Sequence, residues 1–157
     1  MKVKLIVIGK TKSKFLLDSE NEYQKRLKHY CKFSELIIPD IKNGGKLSKK
    51  ELKEKEGNRI LESIKNSDYI ILLDDKGLEL SSTDFAKFLN KKMMSSSNEL
   101  VFIVGGAFGF CKSVYKRANT KLSLSKMTFS HQMVRMIFKE QLYRAFTILK
   151  GEKYHHE

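Results

Sequence analysis

Leu100-Val101-Phe102-Ile103-Val104-Gly105-Gly106-Ala107-Phe108-Gly109 is the stretch whose reading decides the fold. Five apolar residues in a row, with no polar alternation, describe a strand covered on both faces, as in the middle of a parallel sheet. The glycines that follow fit a tight strand-to-helix turn, or backbone that approaches a ligand without interference from a Cβ. Tyr69-Ile70-Ile71-Leu72-Leu73 repeats the pattern and stops at Asp74-Asp75-Lys76-Gly77.

Working outward toward the amino end, Val3 to Ile8 predicts a buried first strand ending at Gly9. Phe33 to Ile38 predicts a second, stopped by Pro39, the only proline. Leu16, Tyr23, Leu27 and Tyr30 recur at helical spacing over Ser13 to Tyr30, with both tyrosines expected as core or half-buried residues rather than base-stacking platforms. Asn43-Gly44-Gly45 predicts a loop. Ser48 then caps a helix, with Glu51 completing a capping box and Leu47 stapled on Leu52; Ile60, Leu61 and Ile64 form its apolar face. Gly57 in mid-helix costs about 1 kcal/mol relative to Ala and marks either close packing or a bend. Ser81 with Asp84 opens another helix, faced by Phe85, Phe88 or Leu89, and Met93, and residues 95–98 predict a surface loop.

Toward the carboxyl end, a short helix is expected around Lys112 to Ala118 and a strand around Leu122 to Leu124. A long helix should run from about Ser130 to Lys150, with Gly151 as C-cap. Val134, Phe138, Leu142, Ala145 and Leu149 make its apolar stripe, widened by Met133, Met136, Ile137 and Ile148. So wide a stripe predicts burial on two sides, one of them against a second subunit. Arg135, Lys139, Arg144 and Tyr143 are expected to project elsewhere. The β-α order continues without linker or repeat, so residues 1–157 predict one α/β domain with a mostly parallel sheet flanked by helices. Ligands in such sheets sit beyond the carboxyl ends of the strands, here at Leu73-Asp74, at Gly105-Gly106 and in the loop Ser125 to Ser130.

Charge points to the class of partner. The 31 Lys and Arg outnumber the 18 Asp and Glu, leaving +13. Between Glu99 and Glu140 there is no acid, while Lys112, Lys116, Arg117, Lys121, Lys126, Arg135 and Lys139 fall inside that gap. Such a segment favours a polyanion such as RNA, DNA or the ribosome; a lysine-biased proteome is the other reading of the excess. Cys31 and Cys111 have no CxxC spacing, which implies a reducing cytoplasm and no metal cluster. Apolar runs of only about five or six residues exclude a membrane span, and Leu5 to Ile8 is too short for a signal-peptide core.

Several chemistries are disfavoured. Gly9-Lys10-Thr11 resembles the end of a phosphate-binding loop, but Lys4 stands where its first glycine belongs. The Gly105 to Gly109 run is not a dinucleotide fingerprint, and no zinc spacing or GxSxG motif is present. His131 is either a structural donor or a catalyst. Arg144 lies four residues after Glu140, which offers an internal ion pair as the alternative to a substrate role. The tail Tyr154-His155-His156 either frays or clamps a nucleobase.

Several motifs together carry a resemblance. They are Lys2-Val3-Lys4-Leu5-Ile6-Val7-Ile8-Gly9-Lys10, Lys55-Glu56-Gly57, Leu73-Asp74 with Gly77, and Val104-Gly105-Gly106 with Gly109. Leu122 to Phe129, His131-Gln132-Met133-Val134-Arg135, Glu140-Gln141-Leu142-Tyr143-Arg144-Ala145 and Gly151 to His155 complete the set. In this order the chain resembles the bacterial 23S ribosomal RNA pseudouridine N3-methyltransferases of the SPOUT superfamily. The resemblance covers essentially the full length. It departs at Ser130, where many members have proline, and at Ala107-Phe108, where small or polar residues are common.

The resemblance implies a SPOUT-type fold with a C-terminal trefoil knot, a homodimer, and a cytoplasmic enzyme acting on the assembled ribosome. It implies S-adenosyl-L-methionine as methyl donor, with cofactor contacts at Leu73, Gly105, Gly106, Leu124, Ser125, Lys126, Met127, Thr128 and Phe129. Catalytic roles would fall on His131, Arg144, Tyr154 and His155, and substrate contacts on Arg135, Arg144, Tyr154 and His155. Methyl transfer of this kind is an in-line displacement that needs alignment and no metal. The proton on N3 must leave, with His131, His155 or an arginine assisting. A non-catalytic ribosome-binding or assembly factor using the same basic surface is the alternative expectation.

Overall fold

A computed structural model of the chain describes residues 1–95 and 98–156. Its strands are β1 (Lys2–Ile8), β2 (Lys32–Ile38), β3 (Tyr69–Glu79), β4 (Leu100–Val104) and β5 (Thr120–Ser123). The helices are α1 (Lys14–Leu27), α2 (Lys49–Glu62), α3 (Ser82–Ser95), α4 (Lys112–Arg117) and α5 (His131–Leu149), with a 3₁₀ turn at Gly44–Lys46. The strand order is β2-β1-β4-β3-β5, and every pairing is parallel.

The unbroken apolar runs follow from this layering. Side chains alternate across a strand, so a run with helices on both sides must be apolar at every position. Leu100, Phe102 and Val104 of β4 pack with Leu27, Phe85, Leu89, Phe138 and Leu142, the layer of α1, α3 and α5. Val101 and Ile103 face the other way, onto Ile60 and Val114 of α2 and α4. Each such side chain, fully buried, stabilises the fold by about 1.5–3 kcal/mol. The central strands therefore outweigh exposed ion pairs such as Arg26 with Glu22.

Local start signals operate as expected. Ser13, Ser48 and Ser130 accept from the main-chain N–H groups of Leu16, Glu51 and Met133. Ser81 accepts from Asp84 N at 3.0 Å. Gly151, at φ +67°, follows the last helix. Gly57 marks close packing, since a Cβ there would overlap the Sγ of Cys111 where α2 lies against α4.

Some boundaries move. β3 continues to Glu79 through a register shift between Leu73 and Leu78, pairing its second half with β5. That strand begins at Thr120 and ends at Ser123, leaving Leu124 to the following loop. Ser96 and Ser97 of the expected surface loop lie outside the described residues.

One expectation is corrected outright. Arg135 and Lys139 do not project from α5 toward a polyanion; each is 1% exposed, on the buried side of the helix. Lys139 bonds Glu20 of α1 at 3.0 Å and also the carboxylate of Glu35 on β2. Arg135 donates to the carbonyls of Ile8 at 2.6 Å and Gly9 at 2.8 Å. The physical reason is the end of β1, where main-chain carbonyls without ladder partners need buried donors.

Candidate active site

A cleft of about 640 Å³ opens beyond the carboxyl ends of β4 and β5 and beside the middle of β3. Three segments wall it: Leu73 to Lys76 from β3, Val104 to Phe110 after β4, and the loop after β5 with the start of α5. The second and third lie at strand ends singled out from the sequence; Leu73-Asp74, also expected at a strand end, instead sits within β3 where its register shifts. Leu73, Gly105, Gly106, Leu124, Ser125, Met127, Thr128, Phe129 and His131 all line this one cleft, whereas Lys126 does not.

The glycine turn is shaped by its neighbours. A Cβ on Gly105 would stand 3.2 Å from the Phe110 ring and 3.3 Å from the Gly109 carbonyl. On Gly106 it would run into the carboxyl group of Glu56, with Oε1 at 2.8 Å. Backbone is thus exposed to the cleft on one side and braced by an α2 side chain on the other. Glu56 is buried, and among the described residues its Oε1 has no hydrogen-bond partner. Burial, reinforced by Asp40, pushes its carboxyl above the ordinary range.

The loop after β5 is held by its own serines. Ser123 Oγ donates to the Ser125 carbonyl at 2.8 Å, and Met127 N donates to Ser125 Oγ at 2.9 Å. At its end Ser130 caps α5 and so presents His131 to the cleft. Burial, then the Arg135 and Lys12 charges, lower the His131 pKa against an opposing pull from Asp40. Its imidazole is therefore neutral near pH 7 and able to accept a proton.

Arg144, Tyr154 and His155 form a second cluster. The Nε of Arg144 donates to Glu140 Oε1 at 3.0 Å, and its Nη1 donates to His155 Nδ1 at 3.2 Å. Its guanidinium also lies 4.7 Å from the Tyr154 ring centroid. Tyr154 Oη donates to Glu140 Oε1 at 3.0 Å and receives a 3.3 Å bond from Tyr23 Oη. The Glu140 ion pair and a tail contact thus coexist at Arg144. Tyr30 Oη donates to Glu152 at 2.6 Å, so the tail is tied down rather than frayed.

The helical run from His131 to Arg144 spans roughly 20 Å of axis at 1.5 Å per residue. Within one chain, therefore, the structure gathers His131 with the cleft loops and leaves Arg144, Tyr154 and His155 together elsewhere. Arg135 belongs to neither group, being engaged at the end of β1.

Sequence reasoning missed four participants. Tyr23 and Tyr30, read as core or half-buried and found half-buried, use their hydroxyls to anchor the tail; helical spacing reports the face but not the hydroxyl's partner. Tyr115 donates a short hydrogen bond to Asp74 Oδ2 in the cleft wall, and Lys76 N donates to Asp74 Oδ1 at 2.8 Å. Glu56 offered a signal only through its place beside Gly57 in a quoted motif. Among the described residues no group of three or more His, Cys, Asp or Glu side chains is placed to hold a metal ion. No described helix is long and apolar enough to cross a membrane.

Comparison with known proteins gives concordant findings. The family described as "Predicted SPOUT methyltransferase" matches residues 1–155. A Parabacteroides distasonis protein called ribosomal RNA large subunit methyltransferase H is 55% identical over 157 residues, covering 100% of both chains. Proteins of the same name from Flavobacterium johnsoniae and Christiangramia forsetii are 54% and 52% identical, over 100% and 99% of both chains. A solved structure of a probable methylase family protein from Haemophilus influenzae shares the fold, with a TM-score of 0.55. It covers 97% of this chain and 67% of its own at 11% identity.

Proposed function

The chain belongs to the SPOUT methyltransferase family and is a methyltransferase, and from that premise we propose that it methylates N3 of a pseudouridine in 23S ribosomal RNA, using S-adenosyl-L-methionine. The observation that carries the reading is end-to-end similarity to proteins named for methylation of large-subunit ribosomal RNA. A net charge of +13 supports a nucleic-acid substrate, and action on the assembled ribosome in the cytoplasm is part of the same proposal.

The residues present fit the cofactor. A cleft of about 640 Å³ lies within the usual range for such ligands. Its Gly105-Gly106 wall is main chain with no room for a Cβ against Phe110 and Glu56, so backbone rather than side chain lines that part of the cleft. When bound, the donor supplies an electrophilic methyl group on a sulfonium. Leu73, Gly105, Gly106, Leu124, Ser125, Met127, Thr128 and Phe129 would hold it. The neutral imidazole of His131, at the cleft wall, would take the proton from the acceptor nitrogen. Arg135 has a positioning role, fixing α5 on the end of β1 so that His131 faces the cleft.

The separated tail cluster supports a homodimer in which Arg144, Tyr154 and His155 of one subunit complete the cleft of the other. Phe15, 70% exposed on α1, supports an uncovered apolar face available to a second copy. A trefoil knot at the carboxyl end is also part of the proposal. Its support is the path of the chain: β5 lies at one edge of the sheet, yet α5 reaches back to β1 through Arg135. Lys12 N also donates to Gln132 Oε1 across the same gap.

The test uses ribosomes from a strain lacking this gene, incubated with purified protein and labelled cofactor. Label is expected in large-subunit RNA, at N3 of a pseudouridine by nucleoside analysis. Ribosome binding without cofactor binding or label would instead mean a non-catalytic assembly factor.

A further inference from the structure

We propose that Asp74, clamped by the Tyr115 hydroxyl and the Lys76 main-chain N–H, is the specificity-determining residue through which the cleft recognises the positive charge of its methyl donor. This rests on the cofactor reading above. It extends that reading to a residue pair with no role in it so far.

The charged side chains of the cleft wall are Lys53, Asp74, Asp75 and Lys76. Asp74 is the one of its two acids fixed in place from both sides. It follows Leu73 directly, and Leu73 pairs with Val104 across the sheet, so the Asp74 main chain is adjacent to the start of the Gly105-Gly106 turn and both line the same cleft. Two donors occupy one lone pair on each oxygen; others remain to face a cation.

The surroundings keep the group charged. Partial burial favours the neutral acid, but the hydrogen bonds from Tyr115 and the Lys76 N–H and the charge of Lys121 outweigh it and hold Asp74 below the usual carboxylate range. The groups facing it are Tyr115 from α4, Lys121 from β5, and Asp75 and Lys76 from its own strand. A fixed anion in a partly desolvated wall interacts more strongly with a cation than the same pair does in water. Its two donors also immobilise it before any ligand arrives, which lowers the ordering penalty on binding.

A sulfonium donor is distinguished by charge from its own product. Transfer of the methyl group turns the sulfonium into a neutral thioether, while the α-ammonium of the same molecule is retained. An ionised Asp74 therefore favours donor over product if it faces the sulfur. If it faces the ammonium, it instead favours both over any ligand lacking the amino acid. The shared chemistry is a cation opposite Asp74.

Calorimetry on the purified full chain tests this with three ligands. S-adenosylmethionine carries both charges, S-adenosylhomocysteine only the ammonium, and methylthioadenosine neither. In Asp74→Asn the affinity for S-adenosylmethionine should fall about tenfold, the scale of one charged contact, with methylthioadenosine unchanged. A loss confined to S-adenosylmethionine places the sulfonium opposite Asp74, and a loss shared with S-adenosylhomocysteine places the ammonium there. Equal losses for all three, or none, overturn the proposal. Tyr115→Phe gives a second readout, because removing that donor favours the neutral acid. As pH is lowered, this variant should lose donor affinity at a higher pH than the wild-type does; identical pH profiles also overturn the proposal. If the wild-type chain binds none of the three ligands, the cofactor reading itself falls and takes this inference with it.

Discussion

At the scale of single residues, the carboxyl group of Glu56 is the costliest feature near the cleft. A buried carboxylate with an unsatisfied oxygen is unfavourable, and here burial and Asp40 together raise its pKa. The sign follows from linkage. A carboxyl whose folded pKa exceeds its unfolded value contributes stability below the ordinary value of about 4.3 and loses it as pH rises through the folded value. Glu56→Gln removes that loss without changing the shape that braces Gly106. The variant should therefore melt a few degrees above wild-type at about pH 8, with the gap narrowing toward about pH 4.5. A gap independent of pH in thermal melts would refute the assignment. Nothing in the local sequence announced this residue, because a glutamate in a helix of lysines and glutamates looks like a solvated one.

At the scale of elements, α5 is the helix whose reading changed most. Its stripe of Phe138, Leu142 and Ala145 was legible from 3.6-residue periodicity, and Ser130 marked its start. Arg135 and Lys139 stand one turn apart on the same buried side, where a sequence reading assigns bases to solvent. The carboxylates of Glu20 and Glu35, from α1 and β2, joined by the Gln24 side-chain oxygen at 3.4 Å, make that position tolerable for Lys139. Lys139→Met would strand both acids, with an expected loss of roughly 3–5 kcal/mol and a melting point lower by about 10 °C. Replacing Lys139, Glu20 and Glu35 together by apolar residues of similar volume should recover most of that loss. A single variant as stable as wild-type would show that the network carries no stability. Gly77 has a comparable role in β3: a Cβ there would strike the main chain of Leu122, so the glycine permits the late β3–β5 pairing that closes the cleft wall.

At the scale of the molecule, the charge of +13 is a statement about association rather than fold. With Arg135 and Lys139 turned inward, the exposed bases must carry any contact to RNA phosphates. Binding to ribosomal RNA should weaken steeply with salt, with a log–log slope of about −0.7 to −0.9 per neutralised phosphate. Fluorescence anisotropy across a salt series measures it. A slope near zero would mean that the excess charge plays no part in docking and reflects composition alone.

The amino-acid sequence by itself determined the parallel α/β architecture, because a strand covered on both faces must be apolar at consecutive positions. It also determined the serine caps and the three segments that meet at the cleft, since these depend on residues close together in the chain. Only the tertiary structure decided the order β2-β1-β4-β3-β5, the inward turn of Arg135 and Lys139, and the pairings of Asp74 with Tyr115 and of Tyr23 with Tyr154. Periodicity reports which way a side chain faces within its own element. Whether a buried charge there is tolerable depends on partners far along the chain, brought near only when the layers close around the sheet.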